Sequence, residues 1–321
     1  MTVQTIKAER VVSTALALLE REVVLPATVW RDAAGDFRGA KNDTISIRLP
    51  AYTQSQKNAL RSGGPRSRDS LAERKVDVTL SSRLYKDIEV TDEVFSLDLV
   101  DFMQQVMAPC LRSIVRGYED ELAELMTDAT YAPGHTLTLD GTDPIGTLRE
   151  ARKRLNLANV PQSDRFLAVG ADVEEFILNA TTVQENIART GDASALRDAQ
   201  MGRLAGFQPF VTNALPPGEA YAYHRTAFAL SSRAPAIPNG APWGQTMAAG
   251  GFAIRAVQVL DPTDIVNVLA TEAWVGTNVV TDFGQFDEDG RFTPGIDPES
   301  PVGDEDDYFV RAVKIVLDDE S

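Results

Sequence analysis

Two segments that alternate apolar and polar residues, Ile45-Ser46-Ile47-Arg48-Leu49 and Val76-Asp77-Val78-Thr79-Leu80, enclose a stretch that cannot pack. From Gln54 to Arg68 there is one Leu and no aromatic or β-branched residue. That is too little apolar surface to offset the entropy of ordering the segment on its own domain. The flanking alternation is that of half-buried strands, and pairing them as the two arms of one long hairpin puts Arg61-Ser62-Gly63-Gly64-Pro65-Arg66-Ser67-Arg68 at its tip. At about 3.3 Å per residue, some fifteen residues on each side reach on the order of 50 Å when extended. Any fold for this chain must let this stretch project, and such a span suits an arm that embraces a neighbour.

The projecting stretch is also the basic part of an acidic protein. Nine Lys or Arg stand against three acids between Arg48 and Lys86, in a chain of 321 residues whose formal net charge is -16. That contrast predicts an acidic partner, with Lys57, Arg61, Arg66, Arg68, Arg74 and Lys75 as the candidate contact residues. Nucleic acid is the poorer match: Tyr52 is the only aromatic between the two strands on which a base could stack, and a pI near 4.6 argues against a free nucleic-acid-binding protein.

With 43% apolar residues the chain can bury a substantial core as one large domain or two to three subdomains. No apolar run reaches 18 residues, and Lys7, Glu9 and Arg10 follow Met1 closely, so neither a membrane span nor a signal peptide is read and the cytosol is the expected place of synthesis and folding. A single cysteine excludes an intrachain disulfide and a Cys-based zinc site, and two histidines leave little for metal or acid-base chemistry. No cofactor is expected.

Along the chain, apolar positions Val12, Ala15, Leu16, Leu19 and Val23 predict a helix over 9–24 that Pro26 ends. Thr28 to Arg31 and Thr44 to Pro50 read as strands around the turn Ala34-Gly35-Asp36. After the hairpin, Thr91-Asp92-Glu93 caps a long helix from Asp98 to Ala129, with Pro109 predicting a kink or break at Ala108. Beyond the turn at Tyr131-Ala132-Pro133-Gly134, Asp143-Pro144 starts a helix through Leu155, Phe166 to Gly170 is a short buried strand, and Asp172 starts a second helix to about Ala180. A polar loop (181–201), strand-like pieces at 206–211 and 220–231, a Pro/Gly-rich connection from Arg233 to Gly244, and strands near Phe252–Val259 and Ile265–Val279 complete an α+β middle. From Asp282 onward thirteen acids face three bases, and Tyr308 to Leu317 reads as a last strand.

This order of elements resembles the major capsid proteins of tailed double-stranded-DNA bacteriophages, and most of all the coat-protein branch of podovirus-like and actinobacterial phages. The resemblance rests on Val29-Trp30-Arg31-Asp32 with Phe37 to Pro50, on Val90-Thr91-Asp92-Glu93 leading into Phe102 to Ala129, and on Arg165 to Gly170. It continues through Gly206-Phe207, Tyr221 to Leu230 and Trp274-Val275-Gly276. It implies the tailed-phage capsid fold: an N-terminal arm (1–43), an extended loop hairpin (44–81), a peripheral domain with a spine helix (82–141), an axial α+β domain (142–261), and a return to the peripheral domain ending in an acidic C-terminal strand (262–321). It also implies a structural, non-enzymatic subunit that self-assembles through pentamers and hexamers into an icosahedral shell around DNA in the host cytoplasm. The partners it implies are a scaffolding protein, a portal and, in some relatives, a decoration protein.

Other readings stand beside this one. An encapsulin-like compartment shares the architecture, and an unrecognised hydrolase would need a cluster of titrating groups that the sequence does not display. Lys57-Asn58 is a weak cue for an isopeptide crosslink. The acids at 287–289 and 304–307 do not make an EF-hand, because Arg291 occupies a ligand position and no glutamate closes the loop, so they read as solvated turns. Cys110 reads as a small buried hydrophobe and His224 as a packed or hydrogen-bonded side chain.

Overall fold

The computed structural model describes residues 24–31, 44–49, 57, 74–90, 108–139, 143–179, 203–249, 251–262, 266–294 and 308–317. The expected N-terminal helix at 9–24 therefore falls almost wholly outside the described residues, as do the cap at 91–93 and the loop at 181–201. Within the described residues the class is α+β, as expected.

The long helix, α1 (Ala108–Asp128), carries the expected stripe, and the part of the expected span before Ala108, with the kink or break placed there, lies outside the described residues. Cys110, Ile114, Tyr118, Leu122 and Met126 recur every fourth residue and are all buried, with Val115 and Ala123 beside them. Each large apolar member of that stripe is worth roughly 1.5–3 kcal/mol on burial, which is needed because the helix charges oppose its dipole. Asp120, Glu121, Glu124 and Asp128 lie toward the C-terminus, and no base occupies the last turn.

The stripe packs on an antiparallel sheet of β3 (Ser82–Val90), β11 (Val266–Val279), β10 (Phe252–Asp261) and β9 (Trp243–Ala249), with β8 (Phe228–Arg233) paired to the far end of β11. Tyr118 anchors the contact: its hydroxyl bonds Ser232 Oγ at 2.5 Å and donates to the Ala253 carbonyl at 3.3 Å, and its ring meets Phe252 edge-on at 5.3 Å. Gly117 lets the helix sit directly on Leu84, whose side chain a Cβ would meet at 2.9 Å.

A second, mixed sheet runs β4 (Thr136–Leu139), β15 (Ala312–Leu317), β7 (Glu219–His224), β5 (Arg165–Val169), β6 (Gln208–Val211). Helix α2 (Pro144–Leu157) is capped as its sequence predicted, with Asp143 Oδ1 accepting from Gly146 N at 2.8 Å and Pro144 at the first helical position. It packs with α3 (Ala171–Asn179) on one face of this sheet, against Leu167, Val169, Ala220, Ala222, Val313 and Ile315. The opposite face, through Ala168, Tyr221, Tyr223 and Ala312, joins the core around α1. Burial on both faces explains why β7 is nearly all buried and shows no polar alternation.

Three differences from the sequence expectations follow from pairing partners. Thr28 to Arg31 is not a strand: Leu25–Thr28 forms a 3-10 turn, with Pro26 in its first half, and only Trp30 bridges to Ala229. The expected connection from Arg233 to Gly244 ends in β9, which pairs with β10. The expected boundaries at 142 and 262 do not follow sheet membership. Strands β8 and β10 join β11 in the first sheet, whereas β15 inserts between β4 and β7 in the second. Alternation marks a strand but carries no information about which strand lies beside it.

Candidate assembly surface

The hairpin inferred from the sequence is present at its root. Strand β1 (Thr44–Leu49) pairs antiparallel with β2 (Arg74–Thr79) in continuous register from Thr44↔Thr79 to Leu49↔Arg74. Side chains reinforce the pairing: Thr44 Oγ1 bonds Thr79 Oγ1 at 3.0 Å, and Ser46 donates to Asp77, whose carboxyl is held below its ordinary pKa by that bond first and by Lys75 as well. Lys75 is exposed and pairs with Asp77 at 3.4 Å.

The root is locked to the body on one face. Val78 is buried with Ala229 and Val280, and Val76, Leu80 and Trp30 pack around them, while Lys75, Asp77 and Thr79 point outward. Asn278 Nδ2 donates to the Asp77 carbonyl at 2.6 Å, and Ser81 N donates to the Val275 carbonyl at 3.0 Å. At Gly276 the approach is closest: a Cβ there would stand 2.4 Å from the Thr79 carbonyl oxygen. A glycine inside a strand is the sequence cue for such an approach, and Gly276 is the positioning residue that charge-based reading of this region missed.

Of the six candidate contact residues, Lys57 is exposed, Arg74 opens β2 and Lys75 follows it in the strand. Arg61, Arg66 and Arg68 lie outside the described residues. Exposed acids on the described surface include two groups close together in sequence. Asp120, Glu124 and Asp128 are exposed on α1, and Asp287-Glu288-Asp289 are exposed in the turn joining β12 (Thr281–Phe286) to β13 (Phe292–Pro294). That turn uses its own acid, because Asp287 Oδ1 accepts from Arg291 N at 2.6 Å and Gly290 takes φ 75°. The acids at 304–307 lie outside the described residues. An open hollow of about 440 Å³ beside α1 is lined by Pro109, Arg112, Ser113, Arg116, Gly117 and Asp120.

Buried polar groups elsewhere are structural. Glu272 is held between Arg255 and Arg83 across β10, β11 and β3, and hydrogen bonding to Glu272 raises the Arg83 pKa. Breaking such a buried pair from one side is strongly destabilising. Cys110 is buried, and burial raises its thiol pKa. His224 is buried and hydrogen-bonded to Thr226, as its sequence context suggested. Among the described residues no group of three or more His, Cys, Asp or Glu could hold a metal ion, and no helix is long and apolar enough to cross a membrane.

The same fold occurs in solved phage structures. One from Mycobacterium phage Che8 is 19% identical with a TM-score of 0.59, over 81% of this chain and 88% of that one. The capsid structure of cyanophage P-SCSP1u is 10% identical with a TM-score of 0.55, over 87% and 84%. The head structure of Helicobacter pylori bacteriophage KHP40 is 9% identical with a TM-score of 0.54, over 87% and 86%. Identities this low carry the fold alone. Among curated proteins none matches the chain. Residues 73–316, from the returning arm of the hairpin to the final strand, match the family described as phage capsid protein. The chain belongs to that family, and is a major capsid protein, a structural shell-forming subunit of the virion and not an enzyme.

Proposed function

We propose that this subunit assembles through pentamers and hexamers into an icosahedral shell enclosing phage double-stranded DNA, and that the basic stretch of each copy lies over acidic surface of its neighbour. The observation that carries this reading is a basic segment without packing residues on a hairpin root fixed rigidly to the body. Repeated heterologous contacts that close around symmetry axes generate a shell, and complementary charge sets register and partner choice more than affinity. The exposed acids of α1 and of the β12–β13 turn are two receiving surfaces of the right sign. Net negative charge also suits an inner face along which DNA must slide, with no sequence-specific binding. A scaffolding protein and a portal in the host cytoplasm are the further partners of this reading, and a decoration protein would add to them. The peripheral region comprises α1 with the β3–β11 sheet, and the axial region α2 and α3 with the β4–β15 sheet.

Replacing Arg61, Arg66 and Arg68 together by Glu tests the proposal. The expected outcome is loss of closed particles in negative-stain images, with circular dichroism and thermal unfolding of the subunit unchanged. Normal shells from the triple variant would reject the electrostatic contact.

A further inference from the structure

Three connections that leave or join the two larger sheets are clustered within the described residues. β7 leads through the 3-10 turn Arg225–Ala227 into β8, β11 leads through Val280 into β12, and β14 (Tyr308–Val310) leads through Arg311 into β15. They are bonded to one another: Val280 N donates to the Ala227 carbonyl at 2.8 Å, His224 N donates to the Arg311 carbonyl at 3.0 Å, and the Arg311 guanidinium donates to Thr226 Oγ1 at 2.7 Å. Strands β12 and β14 pair with each other, so the small sheet they form is the joint between the two larger ones.

Both histidines of the chain face this joint. His135, which is 2% exposed, lies between the rings of Phe286 of β12 and Phe309 of β14, with centroids 5.1 and 5.0 Å away. Neither of its ring nitrogens has a hydrogen-bond partner among the described residues. His224, which is 6% exposed, points Nδ1 at Thr226, with Oγ1 at 2.8 Å and N at 3.3 Å, beside the Arg311 guanidinium that is clamped to Asp282 at 2.5 and 2.9 Å.

We propose that His135 and His224 make the joint proton-operated, so that protonating them releases β12 and β14 from the body and uncouples the two sheets. An imidazolium at His135 would be a buried charge cut off from water, with the Pro133 carbonyl as the one backbone acceptor that favours it. The charged group facing it is Arg154 of α2, itself paired with Glu150 at 3.0 Å, which adds repulsion. At His224 the facing groups are Arg311 and Arg165, which repel a proton, and Asp164 and Asp282, which attract one.

Burial lowers the pKa of each histidine from 6.5 to about 4, with Arg154 adding at His135 and Arg311 at His224. Because the folded values lie below the ordinary one, the protecting effect is complete above pH 6.5, is lost as pH falls from 6.5 to 4, and loses nothing further below 4. The equilibrium constant for opening rises about 60-fold per histidine between neutral pH and pH 4.5.

Hydrogen exchange of the full chain, corrected for intrinsic rates, tests this between pH 7.5 and 3.5. Protection of residues 281–294 and 308–317 should fall between pH 6.5 and 4 and level off below, while α1 keeps its protection. Protection that stays constant, or keeps falling below pH 4 as titrating carboxylates would make it do, overturns the proposal. In the variant His135→Phe with His224→Asn the acid step should vanish with neutral-pH protection retained, and persistence of the step refutes it. Should that variant fail to fold, imidazole proton shifts of the wild-type chain decide: midpoints near 4 that coincide with the exchange step support the proposal, and midpoints near 6.5 refute it.

Discussion

Gly276 is where a side chain of any size would push the hairpin root away from the body. The obstacle is the backbone carbonyl of Thr79, which cannot rotate aside. Gly276→Ala should cost about 1–3 kcal/mol by overpacking, seen as a lower midpoint of thermal unfolding and as faster proteolysis between residues 74 and 81. An unchanged cleavage rate would mean that the root tolerates displacement. Val78 and Asn278 secure the same strand by burial and by a hydrogen bond to Asp77. Of these three residues only Val78 announced its role in sequence, through the alternation of β2. Close approach at Gly276 and the backbone-directed amide of Asn278 depend on where β11 lies, and no local pattern encodes that.

Helix α1 was the most legible element, because five buried residues at a spacing of four leave one solution for its packed face. Its charges against the dipole mean that the face and not the helix propensity holds it. Leu122→Ala should destabilise the subunit by about 2–5 kcal/mol, measured by denaturant unfolding, whereas Glu124→Ala on the exposed side should be neutral or slightly stabilising. The reverse order would show that the stripe is not the packed face. The short strands were less legible: β9 hid in a segment rich in Pro and Gly, and a single expected strand over Tyr308–Leu317 divides at Arg311 into pieces that belong to different sheets. Both cases turn on pairing partners far along the chain, such as β10 for β9 and β12 for β14.

On the scale of the molecule, the core around α1 draws residues from both sheets, including Ala168, Tyr221 and Tyr223 of the second. A shared core predicts one cooperative transition at neutral pH: near-ultraviolet and far-ultraviolet circular dichroism of the dissociated subunit should lose signal together on heating. Two separated transitions would mean that the sheets fold independently. The charge contrast and the hairpin were readable from composition and alternation, but the sheet partners were not, since the chain weaves between sheets instead of completing one before starting the next. The hairpin root finally sets a matter of leverage. Twenty-four residues separate Leu49 from Arg74, and twelve on each side extend at most about 40 Å. Over that length a tilt of roughly 10° at the root would carry the tip about 7 Å sideways, on the order of two residues along a strand. In the proposed assembly, the place where one subunit grips the next would thus be aimed by small side chains, Gly276 foremost, that need never touch the neighbour.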